Sequence, residues 1–244
     1  MDTFKCTPLE ISGTSYEMQL LSPSQLLQHP QLQSICSVIN DAYITHFQSL
    51  VPASGATRVK HPSELVSELH PSGACCVIFA LQSTGRDVES YSESFPVAFA
   101  AIKPYQVEFE HFAIGERVTT DTETELKPER HEDGAQLDWE LTAVAVHQDK
   151  SYAKKGLVTR CIVELERYVC SAVSSSFGGK STKGVDNVGR TSEVVIWVRT
   201  IQEMNGTYWA RKGYKASAVY HCSKGVLGAF DDFHLITLVK RLAI

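Results

Sequence analysis

Between Trp139 and Thr200 the chain runs strand, loop, glycine, helix, strand, and no other stretch constrains the fold as tightly. "WELTAVAV" (Trp139 to Val146) is rich in β-branched and apolar residues and reads as a strand. The loop "HQDKSYAKK" follows and ends at Gly156. From Gly156 to about Ala172, Val158, Cys161, Leu165, Tyr168 and Val169 recur at helical spacing, while Arg160, Glu164 and Arg167 lie off that stripe. "VVIWVRT" (Val194 to Thr200) is the second strand. Two strands joined through a helix in one sheet are parallel, and their crossover is right-handed.

The rest of the chain reads differently. "YEMQLLS" (Tyr16 to Ser22) is a first strand. A helix follows, with Leu32, Ile35, Ile39, Ala42 and Tyr43 on one face, and "PSELVSELH" is a short second helix opened by Pro62. "CCVIFALQ" (Cys75 to Gln82) and "FPVAFAAIKPY" (Phe95 to Tyr105) form an antiparallel pair. A short helix, "NGTYWARK", stops at Gly213, and "KASAVYHC" and "FHLITLVKRL" are two final strands. One parallel pair within a mostly antiparallel set excludes a regular doubly wound fold and predicts an α+β fold. The expected organisation is one domain over 1–244, with polar insertions near 83–94, 106–136 and 174–192.

A net charge of −5 and the lack of a Lys/Arg-rich run argue against a nucleic-acid partner. No apolar run reaches the length of a membrane span, and "MDTFKCTPLE" lacks the pattern of a signal peptide. The seven cysteines have no regular spacing, and neither C-x-x-C nor H-x-x-x-H occurs, so a reduced, cytoplasmic protein without a metal is expected.

Two motifs carry a resemblance. "ELTAVAVHQDKSYAKKGLV" is similar to the strand, loop and Q/R-x-x-G-x-G/A signature that opens a helix in the Gcn5-related N-acetyltransferase superfamily. Ala153-Lys154-Lys155-Gly156-Leu157-Val158 occupies the signature, matching it at the central glycine, with a loop about two residues longer than usual. "YWARKGY" resembles the superfamily's "YEKxGF" ending, with Gly213-Tyr214 in place. The resemblance runs along most of the chain. It implies a mixed, largely antiparallel sheet whose fourth and fifth strands are parallel and splay apart to admit the pantetheine arm of acetyl-CoA.

Physical chemistry supports those assignments. Free amides at a helix N-terminus bind anions, helped by the helix dipole, and glycine permits close backbone approach to a pyrophosphate. Ala153, Lys154, Lys155, Gly156, Leu157 and Val158 are therefore the expected pyrophosphate-binding residues, with charge from the two lysines. The resemblance places Val144 and Val146 where the strand backbone pairs with pantetheine, and Gln202 or Asn205 as the amide beside it. An alkylamine has a pKa of about 10.4, so a proton acceptor is needed. Glu140 matches the glutamate of the histone acetyltransferase branch; an edge carboxylate without chemistry is the alternative. For the acid that protonates the departing thiolate, gapless register gives Trp209, which cannot serve; Tyr208, one step earlier, is the candidate.

"FGGKST" (Phe177 to Thr182) imitates the end of a P-loop, yet Ser174 stands where the first glycine belongs and a helix precedes it. The implied activity is acetyl transfer from acetyl-CoA to a primary amine by direct attack in a ternary complex. The acceptor is a small molecule or peptide and the protein a monomer or homodimer. The alternatives are a catalytically inactive acyl-CoA-binding or protein-interaction domain of the same fold, and transfer to an oxygen nucleophile.

Overall fold

The computed structural model describes residues 6–51, 57–81, 94–105, 115–118, 138–178 and 193–244. They form nine strands and five α-helices: β1 Cys6–Ile11, β2 Thr14–Leu21, α1 Pro23–Leu27, α2 Leu32–Phe47, α3 Pro62–Glu68, β3 Ala74–Leu81, β4 Ser94–Pro104, β5 Glu116–Val118, β6 Asp138–Val146, α4 Leu157–Gly178, β7 Glu193–Ile201, α5 Thr207–Arg211, β8 Lys215–Cys222 and β9 Phe233–Ala243. A π-helical turn, Gln202–Gly206, joins β7 to α5.

The chain divides into two packing units, and the boundary cuts β6 and α4. In the unit holding the N-terminal half, strands run β1-β2-β3-β4 and then the Thr142–Val146 part of β6. The first three pairings are antiparallel, with a bulge where Ile78 and Phe79 meet β4. β3 is buried almost throughout, as its unbroken apolar sequence requires. The core joins Leu21, Ile35, Ile39, Leu65, Val77, Phe99, Ala143 and Ala145. Local sequence starts the helices here. Ser22 caps α1 in a reciprocal box with Gln25, Pro23 taking the first helical turn. At α3, Glu64 Oε2 accepts from the amides of Lys60 and His61 at 3.0 and 3.3 Å.

In the other unit the order is β6-β7-β9-β8-β5. Asp138–Glu140 pair in parallel with Val195–Trp197, the one parallel ladder among the described residues. β7 pairs with β9 along its full length, and β9 with β8, both antiparallel. Trp197 anchors the parallel ladder: its indole N–H donates to Asp138 Oδ1 at 2.8 Å, and Tyr105 stacks on it at 4.8 Å. The α+β class with one parallel pair is thus as expected.

The differences are local. β1, α1 and β5 were not anticipated. β5 lies inside the stretch expected to be an insertion over 106–136, and its three residues pair with Tyr220 and its neighbours on β8. Three residues carry too little periodicity to be read without their partner strand. α4 continues to Gly178, into the stretch assigned to the 174–192 insertion. Its buried stripe is Leu157, Cys161, Leu165, Val169 and Val173, so the inward residue of the first turn is Leu157 and not Val158. The remainder of the three insertions, and residues 179–182 of "FGGKST", lie outside the described residues. All seven cysteines are free thiols, and no helix among the described residues is long and apolar enough to cross a membrane.

Candidate active site

Gly156 begins α4. It takes φ 74°, and Arg160 N–H donates to its carbonyl at 3.1 Å, closing the first helical turn. A Cβ at this position would meet no heavy atom within 4 Å, so backbone conformation and not crowding within the protein demands glycine here. The amides of the first turn lack intrahelical acceptors in any α-helix. Glycine offers no side chain to cap them, and the first turn of α4 holds no acidic residue. An Asp or Glu there would ordinarily stabilise the dipole, so this helix start is left suited to an anion from elsewhere. Lys154 also takes a positive φ, 59°, and left-handed residues in turns gather amides into anion-binding concavities.

The loop before this turn is held by a backbone bond to β4 and by its own side chains. His147 N–H donates to Val97 O at 2.8 Å, and Ser151 N–H to Asp149 Oδ1 at 2.8 Å. Ala153 and Lys154 are exposed and Leu157 is buried. The ammonium of Lys155 lies 3.3 Å from the Tyr16 hydroxyl and 3.5 Å from Thr14 Oγ1 on β2. Of the two lysines expected to add charge at this turn, Lys155 is therefore engaged with β2.

β6 leads into this loop and is irregular at its centre. Ala143, a non-glycine residue, takes φ 48° in mid-strand. Such a conformation costs roughly 1–2 kcal/mol and is concentrated at functional sites. Burial nevertheless alternates with period two from Thr142 to Val146. Ala143 and Ala145 are buried in the core while Thr142, Val144 and Val146 remain partly exposed.

Thr142 joins a polar cluster that sequence reasoning missed. Its Oγ1 donates to Glu68 Oε1 at 3.0 Å. Arg58 Nη2 reaches both Glu68 oxygens at 2.5 and 2.6 Å and Thr142 Oγ1 at 3.5 Å. Lys103 Nζ lies 3.7 Å from Glu68 and is largely buried. Burial pushes the Glu68 carboxyl upward, but the bonds and charge of Arg58, then Lys103 and Thr142, outweigh it and hold its pKa below the ordinary value. The one legible signal was Lys103, a charge inside the apolar run "FAAIKPY".

In the other unit Glu140 is buried and paired: Arg199 Nη2 donates to its Oε1 at 2.9 Å. Arg199 stands two residues past Trp197, the partner of Glu140 in the ladder, so strand alternation brings both to one face. Beyond β7, Gln202 is exposed and Asn205 Nδ2 donates to Thr200 Oγ1 at 3.1 Å. Glu203 secures the π-turn, accepting from His234 N–H at 3.1 Å and bonding its ring Nδ1 at 2.7 Å. On α5, Trp209 fills the core, edge-on to Tyr208 at 5.2 Å and Tyr214 at 5.1 Å. Tyr208 is partly exposed. Tyr214 is a structural phenol: its hydroxyl donates to Glu166, which also holds Lys240 at 2.7 Å, and burial followed by the Glu166 charge pushes its pKa far up.

Gly156 through Val158 thus come together at one helix start in one unit, with Val144 and Val146 on the strand that leads to it. Glu140, Gln202, Asn205 and Tyr208 belong to the other.

No family model matches the chain, and no curated protein does. Among solved structures it is similar to a ribosomal-protein-alanine N-acetyltransferase from Brucella melitensis, at 12% identity over 92% of this chain and 99% of that one, with a TM-score of 0.47. It is similar also to NAA60 of Arabidopsis thaliana in complex with acetyl-CoA, at 13% identity over 93% and 98% of the two chains, TM-score 0.48. A third is an N-acetyltransferase from Staphylococcus aureus Mu50, at 11% identity over 92% and 97%, TM-score 0.48. The mixed, largely antiparallel sheet, with one parallel pair among the described residues, is the sheet type that the resemblance to the Gcn5-related N-acetyltransferases implies, although the pair here is β6 and β7 and not the fourth and fifth strands.

Proposed function

We propose that the protein is an acetyl-CoA-dependent N-acetyltransferase acting on a primary amine by direct attack. One observation carries this reading. A strand irregular at its centre runs into a helix whose first turn begins on a left-handed glycine and holds no carboxylate. That donor set fits a diphosphate bearing a flexible arm.

Acetyl-CoA supplies a thioester carbonyl as the electrophile. The amides of Leu157 and Val158 bind its diphosphate, with Ala153, Lys154 and Lys155 shaping the turn, and the backbone of Val144 and Val146 orients the arm. Gln202 or Asn205 offers an amide beside it. The amine nitrogen bonds to the carbonyl carbon and the carbon–sulfur bond breaks. Glu140 takes the proton lost by the amine, directly or through water, and Tyr208 returns one to the thiolate.

The Arg199 guanidinium on Glu140 favours a second reading, an acyl-CoA-binding domain without turnover. Free-thiol release from acetyl-CoA across a broad amine panel separates the two. Thiol release with matching N-acetylated product supports the enzyme; acetyl-CoA binding with no release from any amine supports the binding domain.

A further inference from the structure

We propose that Arg58 is the specificity-determining residue of this site, and that the acceptor is an amine carrying a nearby carboxylate, as an amino acid does. The inference rests on the reading of β6 and α4 as the acetyl-CoA site. Diphosphate at Gly156 and arm at Val146 and Val144 give the strand a direction: the acyl end lies toward Thr142, about 7 Å before Val144 at strand rise. Thr142 is where Arg58 sits, 3.5 Å from its hydroxyl.

Arg58 is held as a recognition group is held. Asn40 clamps the next residue, donating to Val59 O at 2.9 Å and accepting from Val59 N–H at 2.8 Å, which pins this segment against α2. Glu68 then fixes the guanidinium through Nη2 alone. Nε and Nη1 take no part in those bonds, and the side chain keeps 27% of its surface exposed. A guanidinium held at Nη2 by Glu68, set 5.9 Å from the Tyr43 ring centroid and still partly exposed, can offer a charge-assisted hydrogen bond to a further carboxylate. Lys103 beside Glu68 makes two cations around one carboxylate in this cluster.

The test uses the full chain and matched acceptors: free amino acids, their C-terminal amides and the corresponding decarboxylated amines, with thiol release as readout. The free acids are expected to show kcat/KM about 10–100-fold higher, mainly through KM. Arg58→Gln is expected to erase that preference by raising KM for the acids while leaving the amides unchanged, and Arg58→Lys to restore part of it. Equal or better rates for the amides in the unsubstituted protein overturn the proposal. So does an Arg58→Gln loss shared equally by acids and amides. Calorimetry with coenzyme A and N-acetyl amino acids, against N-acetyl amino amides, supplies a binding arm. If no amine releases thiol, the acetyltransferase reading fails. In that case stronger binding of the acids, abolished by Arg58→Gln, still upholds the carboxylate site, and no such difference overturns it.

Discussion

Arg199 donates to Glu140 at 2.9 Å across the parallel ladder, so the carboxylate expected to act as base is already bonded to a cation of the neighbouring strand. The two act as one unit in whatever role Glu140 has. Glu140→Gln is expected to lower kcat about 100-fold or more and to remove the acidic limb of the pH–rate profile, with acetyl-CoA affinity nearly unchanged. The double substitution with Arg199→Met is expected to cost far less than the product of the single effects. An unchanged profile in Glu140→Gln takes this residue out of the mechanism.

Gly156 offers a cleaner contrast. Asn and Asp both tolerate a left-handed φ better than other residues, so the backbone cost of Gly156→Asn and Gly156→Asp is similar, about 1 kcal/mol. Only Asp brings charge to the helix start. Gly156→Asp is expected to abolish detectable coenzyme A binding by calorimetry, while Gly156→Asn weakens it by no more than about tenfold. Equal losses would mean that the amides of this turn do not hold the diphosphate.

Tyr208 and Trp209 are neighbours with opposite expectations. Trp209→Ala empties a buried site and is expected to cost about 3–5 kcal/mol in denaturant unfolding. Tyr208→Phe keeps the ring and is expected to leave stability within about 1 kcal/mol while lowering kcat at least tenfold. A fully active Tyr208→Phe moves the acid role elsewhere.

Glu68 links the Arg58 cluster to stability. Its folded pKa lies below the ordinary 4.5 because bonds from Arg58 outweigh burial. A depressed carboxyl pKa stabilises the fold above the unfolded value, and the contribution fades as pH falls through the folded one. Glu68→Gln is therefore expected to cost about 2 kcal/mol near neutral pH. Its melting temperature should converge on that of the unsubstituted protein toward pH 3. A pH-independent gap would assign the loss to packing.

Much of the fold was legible because long elements carry their own period. β6, α4 and β7 declared themselves through apolar spacing and Gly156, and β8 was read at its observed bounds. β5 was not legible, since three residues form a strand only through their partners on β8. Nor was the left-handed Ala143: nothing in "LTAVAV" distinguishes that alanine from Ala145.

By itself the sequence determined the longer strands and helices, the need for one parallel crossover, and the helix start after Gly156. These follow from local stereochemistry and periodicity, which act over a few residues. Only the tertiary structure decided that Glu140 meets Arg199, 59 positions away, and that Glu68 meets Thr142, 74 positions away. Electrostatic partnership depends on distance in space, and the spacing of charges along a chain leaves that distance open until the sheet has formed.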